Sequence, residues 1–80
     1  MIEREIMLRS IEDVKSFVSI TMSHPYDTEI TSGKYTVNAK SIMGIFSVDL
    51  TKPLHVIAHC EEDDGIAAQI EPYVYVAEKK

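Results

Sequence analysis

Apolar residues recur at every second position after Pro53: Leu54, Val56, Ala58 and Cys60 alternate with His55, Ile57 and His59. Successive side chains on a strand point to opposite faces, so the first set predicts a core face and the second a solvent face. A weaker alternation runs over residues 2–8, with Ile6 and Leu8 on one face, Arg4 sharing it, and Glu3 and Glu5 opposite; Met7 blurs it. Residues 27–31 predict a short strand with Thr28 and Ile30 on one face. Ser32-Gly33 is a hairpin signal, and residues 34–38 pair back as a third strand. Between the first two strands the period changes. Ile11, Val14, Phe17, Val18, Ile20 and Met22 supply a broad apolar face at helical spacing. Ser10-Ile11-Glu12-Asp13 resembles a capping box with Asp in place of Glu. His24-Pro25 stops the pattern, which predicts a helix over 11–23.

Residues 49–53 read as a loop. Glu61-Glu62-Asp63-Asp64 places four carboxylates at a helix start, where the macrodipole favours them. The last helix is predicted from about Asp63, with Ile66, Ala67 and Ile70 inward. A proline inside a helix removes a hydrogen bond and clashes, at about 3 kcal/mol, so Pro72 predicts a kink or stop near Ile70. Tyr73-Val74-Tyr75-Val76 has β character. The order is β-α-β-β-α-β-α over one domain, residues 1–80. It predicts an α+β open-faced sandwich, a four-stranded antiparallel sheet with helices on one face.

Residues 37–47 hold the most chemistry. Val37 ends a strand, and Asn38 and Ser41 are helix-cap types that accept a hydrogen bond from an orphan N–H. Ile42, Met43, Ile45 and Phe46 then crowd four large apolar groups into five positions. One short turn cannot bury them all, so some are expected to face a partner.

The stretch Val37-Asn38-Ala39-Lys40-Ser41-Ile42-Met43-Gly44-Ile45-Phe46-Ser47 resembles the signature of HPr, the histidine-containing phosphocarrier family of the bacterial sugar phosphotransferase system. The resemblance implies the HPr-like fold over residues 2 to about 70, with sheet order 1-4-2-3 and two long helices covering one face. It implies that Ser41 is the regulatory phosphorylation site. It also implies that the turn after it, with Lys40, Ile42, Met43 and Phe46, docks enzyme I, the sugar-specific A domains, the HPr kinase or a catabolite regulator.

The family's carrier histidine stands in Gly-[Ile/Leu]-His-Ala-Arg-Pro-Ala, at the start of the first long helix. Here the corresponding stretch is Leu8-Arg9-Ser10-Ile11-Glu12-Asp13-Val14. Counted back from the shared motif, Ser10 falls where the histidine belongs, Glu12 where the arginine belongs and Asp13 where the proline belongs. No histidine precedes His24. A serine hydroxyl is a poor shuttle for a high-energy phosphoryl group, and two carboxylates repel an incoming phosphate. The sequence therefore predicts an HPr-like protein that is no histidine phosphocarrier and acts through the Ser41 turn. The alternative is an HPr-fold scaffold used for binding or self-association outside sugar transport.

The remaining candidates point to no enzyme and no cofactor. His24 reads as a surface-loop residue. His55 and His59 lie about 13 Å apart at ~3.3 Å per residue, so they cannot share a metal. A metal site from His59, Cys60 and the 61–64 carboxylates is opposed by the alternation of strand side chains. Cys60 reads as buried packing, and an acidic run beside it would raise rather than lower its pKa. Tyr26 and Tyr35 read as loop and sheet packing. Ser10, His24 and Cys60 form no catalytic constellation.

Charge narrows the partners. A net charge of −5 on 80 residues argues against nucleic acid, which needs a basic stripe. No apolar run approaches the ~20 residues of a membrane span. The N-terminus has no signal-peptide shape, and a single cysteine rules out an internal disulfide, so the cytoplasm is the expected compartment. The sequence leaves the oligomeric state open.

Overall fold

The computed structural model describes residues 1–75. In chain order it contains strand β1 (Ile2–Ile6), helix α1 (Ile11–Met22), strands β2 (Thr28–Ser32) and β3 (Tyr35–Asn38), helix α2 (Ile42–Phe46), strand β4 (Leu54–Ala58) and helix α3 (Ile66–Ile70). A 3-10 turn, Glu71–Tyr73, follows α3. The strands form one sheet in the order β1-β4-β2-β3, each neighbour antiparallel, as the resemblance implies.

Alternation decides which face is buried. Leu54, Val56 and Ala58 of β4 point inward, joined by Ile6 and Ile30, which register against Leu54 and Val56. α1 covers them with Val14, Phe17 and Val18, α2 adds Ile45, and α3 adds Ile66 and Ile70. Glu3, Glu5, Glu29, His55 and Ile57 occupy the opposite parity and leave the other face open.

The apolar face of α1 is narrower than its sequence suggests. Ile11 and Met22 are 60% and 64% exposed, and Thr21 is buried in their place. At about 100° per residue, Val14, Phe17, Val18 and Thr21 share one stripe, with Ile11, Ile20 and Met22 on its flanks. The Thr21 hydroxyl donates to Val18 O at 2.8 Å and Ala39 O at 3.0 Å, which makes its burial tolerable. The cap at Ser10 forms, with its Oγ accepting from the Asp13 N–H at 3.1 Å. The Asp13 carboxylate reaches back to the Arg9 N–H at 3.0 Å, one residue beyond the Ser10 N–H that a capping box would use.

Several boundaries move. β1 stops at Ile6, although Leu8 is still buried. The hairpin turns at Gly33-Lys34 rather than Ser32-Gly33. Gly33 has φ +60° and Lys34 a negative φ, the pattern of a two-residue turn with glycine first.

The carboxylates at 61–64 do not start a helix. Gly65 adopts φ +109°, so α3 begins only at Ile66. Asp63 caps from outside, its Oδ1 accepting from the Gly65 N–H at 2.8 Å and the Ala67 N–H at 3.4 Å. Ala67 is half-buried rather than inward. α3 ends at Ile70, as Pro72 predicts, and at five residues it is not the second long helix that the resemblance implies.

Beyond Pro72 the chain returns to the sheet. Val74 bridges Ile6, Met7 N–H donates to Tyr73 O at 2.8 Å, and Tyr75 N–H donates to Glu5 O at 2.7 Å. Val76, the last residue of the expected β segment, lies outside the described residues. The Tyr73 ring meets Phe17 edge-on, with centroids 6.0 Å apart.

Phe17 therefore joins α1, the sheet and the closing turn. Phe17→Ala is expected to lose about 3–5 kcal/mol, read as a lowered urea midpoint.

Candidate functional site

The α2 turn is held from beneath before any of its own residues contribute. Ala39 is fully buried; its N–H donates to Thr28 O at 2.8 Å and its carbonyl takes the Thr21 hydroxyl. The Asn38 side chain accepts from the Lys40 N–H at 2.8 Å and closes the corner after β3. Ser41 then caps α2, its Oγ accepting from the Gly44 N–H at 3.1 Å. A Cβ at Gly44 would lie 3.2 Å from that Oγ, so glycine lets the cap sit this close.

The four apolar residues of the turn divide. Ile45 is fully buried and anchors it, and Ile42 is half-buried. Met43 is 76% and Phe46 41% exposed. Ser41 is exposed. Lys40 is half-buried, and its ammonium donates to the His24 carbonyl at 2.9 Å.

Phe46 also forms one wall of a groove of about 410 Å³ with Leu50 and Thr51. Met7, Arg9, Ser10 and Ile11 form the other wall. The structure thus brings Ser10 and Phe46, 36 positions apart in sequence, to one depression. Ile11 and Leu50 were not legible as site residues. The helical spacing places Ile11 on the apolar face of α1, and Leu50 is a lone apolar residue in a loop. That loop is fixed by Asp49, whose Oδ1 accepts from the Thr51 N–H at 3.0 Å and also takes the Thr51 hydroxyl. The hydroxyl bond, then the amide bond, hold the Asp49 carboxyl below its usual pKa.

At the start of α1, Ser10 is exposed and its Oγ is already occupied by the Asp13 N–H. Glu12 and Asp13 lie in the first turn, where they face the positive end of the helix dipole.

His24 is not a surface-loop residue. It is 8% exposed, with Nδ1 2.9 Å from Asp64 Oδ2 and Nε2 2.6 Å from Gln69 Oε1. The Tyr26 ring lies beside it, centroids 5.4 Å apart, and the Tyr26 hydroxyl donates to Asp64 Oδ1 at 2.8 Å. Its carboxylate and amide partners lie 40 and 45 positions downstream, beyond the reach of local pattern.

His55 and His59 do lie on the open sheet face, where they meet Glu3 Oε1 at 2.9 Å and Glu29 Oε1 at 3.0 Å. Cys60 is buried. Among the described residues, no group of three or more His, Cys, Asp or Glu side chains is arranged to hold a metal ion. No helix among them is long and apolar enough to cross a membrane.

No protein-family model and no curated protein matches the chain. Solved structures do. HPr-C-His from Thermoanaerobacter tengcongensis is 22% identical, with a TM-score of 0.74 over 90% of this chain and 89% of that one. The phosphocarrier protein HPr from Bacillus anthracis str. Ames is 23% identical, with a TM-score of 0.63 over 92% of this chain and 96% of that one. At such identities the likeness speaks for architecture alone. The antiparallel sheet ordered β1-β4-β2-β3, covered on one face by helices, is the HPr-like fold.

Proposed function

We propose that this chain is a docking protein of the phosphotransferase type, which binds protein partners through α2 and relays no phosphate on a histidine. One observation carries the docking half. Met43 and Phe46 stand exposed on a turn whose register is fixed by buried Ile45 and Ala39. Paired large apolar groups on a rigid support, beside a groove, suit an interface core. Enzyme I, the sugar-specific A domains, the HPr kinase and a catabolite regulator are the partners to test first, because the residues 37–47 resemble the HPr signature.

The chemistry at α1 supports the second half. A phosphate approaching Ser10 would meet Glu12 and Asp13. Like unit charges 4 Å apart cost about 4 kcal/mol at an effective dielectric of 20. The first histidine, His24, is buried with both ring nitrogens engaged. His55 and His59 are spent on glutamates across the open face.

Ser41 supplies the switch in this reading. A phosphate there would add about −1.5 to −2 charges beside Ile42 and Met43 and oppose an apolar partner.

Three measurements test the proposal. With enzyme I and labelled phosphoenolpyruvate, no acid-labile label is expected on His24, His55 or His59; a stable label on any of them sinks the non-carrier reading. Met43→Asp with Phe46→Asp is expected to keep the wild-type circular dichroism and weaken partner binding by roughly 10–100-fold, about 1.4–2.8 kcal/mol. If the wild-type chain binds none of the four partners, the scaffold alternative replaces this one. HPr kinase and ATP are expected to label Ser41. Ser41→Ala should abolish that label and lower stability by about 1 kcal/mol through the lost cap.

A further inference from the structure

None of the residues clustered around His24 lines the groove. Two segments meet in that cluster. His24 and Tyr26 follow α1, while Asp64 precedes α3 and Gln69 lies on it. The contacts are directional. An ionised carboxylate only accepts hydrogen bonds, so Nδ1, 2.9 Å from Asp64 Oδ2, carries a proton. The Gln69 amide presents its oxygen to Nε2 at 2.6 Å, and an amide oxygen only accepts, so in this orientation of the amide Nε2 carries a proton too. A ring with both nitrogens protonated is an imidazolium. Asp64 is committed as an anion because its other oxygen takes the Tyr26 hydroxyl at 2.8 Å.

We propose that the doubly protonated His24 ring is a latch that holds α3 against the α1–β2 loop, and that loss of one ring proton opens it. A neutral ring would turn a bare Nε2 lone pair toward the Gln69 oxygen. The Gln69 oxygen would then have to leave the ring, and Gln69 sits on the five-residue α3. So short a helix has little stability of its own and depends on tertiary contacts.

The groups facing the ring act in both directions. Burial pulls the His24 pKa down; the hydrogen bonds to Gln69 and Asp64, and the Asp64 charge, outweigh it and leave it above its ordinary 6.5. Lys40, whose ammonium sits on the His24 carbonyl, opposes them. Tyr26 stays a donor, because burial, the Asp64 contact and the nearby Cys60 thiol all raise its pKa. The hydrogen bonds from His24 and Tyr26 keep Asp64 below its ordinary 3.8.

The sign follows from linkage. A group whose pKa is raised on folding stabilises fully below its unfolded value, and that contribution fades as pH rises through the folded one. For His24 the loss begins above 6.5. For Asp64, depressed on folding, the contribution holds above 3.8 and fades as pH falls through the lowered value. The latch is therefore fully closed between these limits and opens on the alkaline side through His24.

Nitrogen-15 spectra of the histidine rings test this on the intact chain. The expected result is two protonated His24 nitrogens at pH 6, a midpoint above 6.5, and amide shifts of Ala67–Ile70 that follow the same midpoint. A singly protonated ring at pH 6, or α3 amides indifferent to the titration, overturns the proposal. Asp64→Asn is expected to lower the midpoint; an unmoved midpoint also overturns it. His24→Gln should abolish the loss of urea midpoint between pH 6.5 and 8.5, whereas His55→Gln and His59→Gln retain it. Should His24→Gln fail to fold, the wild-type titration alone decides.

Discussion

Burial of Leu54, Val56 and Ala58 on one face of β4 forces His55 and Ile57 onto the other, and most of the structure's division of labour follows from that. β4 lies between β1 and β2, so its parity is imposed on both neighbours through the register. The inner face collects the residues that α1, α2 and α3 cover. The outer face is left with glutamates and histidines that pair across strands. A slip of one residue would exchange the two sets, bury charge and expose the core. The strands are short, yet their register is strongly specified, because only one parity brings Ile6, Ile30, Leu54, Val56 and Ala58 to the same face.

This explains what the sequence could and could not reveal. Period-two alternation in residues 54–60, and the strand–turn–strand pattern in residues 27–38, depend on neighbours in sequence, so the sheet was readable. The start and end of α1 were readable for the same reason, since Ser10 and His24-Pro25 act locally. Thr21 was not. Its polarity hid a core position that the Ala39 carbonyl makes acceptable from across the fold. The acidic run was misleading because Gly65, with a left-handed φ, postpones the helix beyond it. His24 lay furthest from view, since nothing near it in sequence announces a carboxylate and an amide from the far end of the chain.

The α2 turn stands between these cases. Four large apolar groups in five positions were enough to say that some must be exposed. They could not say which, because that depends on where β3 delivers the chain. Ala39 settles it: pinned on both its amide and its carbonyl, it fixes the direction in which the next turn leaves, and Ile45 is the residue that then meets the core. The groove beside Phe46 is a further product of three dimensions. It exists because the start of α1 and the loop that carries Leu50 meet beside α2, which puts Ile11 and Leu50 in one depression.

The close approach of Gly44 to Ser41 makes the two positions epistatic. With serine at 41, an alanine at 44 must push the hydroxyl that caps its own amide by a few tenths of an ångström. With alanine at 41 there is no hydroxyl to displace, and a residue of higher helix propensity at 44 meets less resistance. The effect of either substitution therefore depends on which came first. A lineage that gave up the serine would relax its hold on the glycine, while one that kept the serine, for whatever use, would keep the glycine with it.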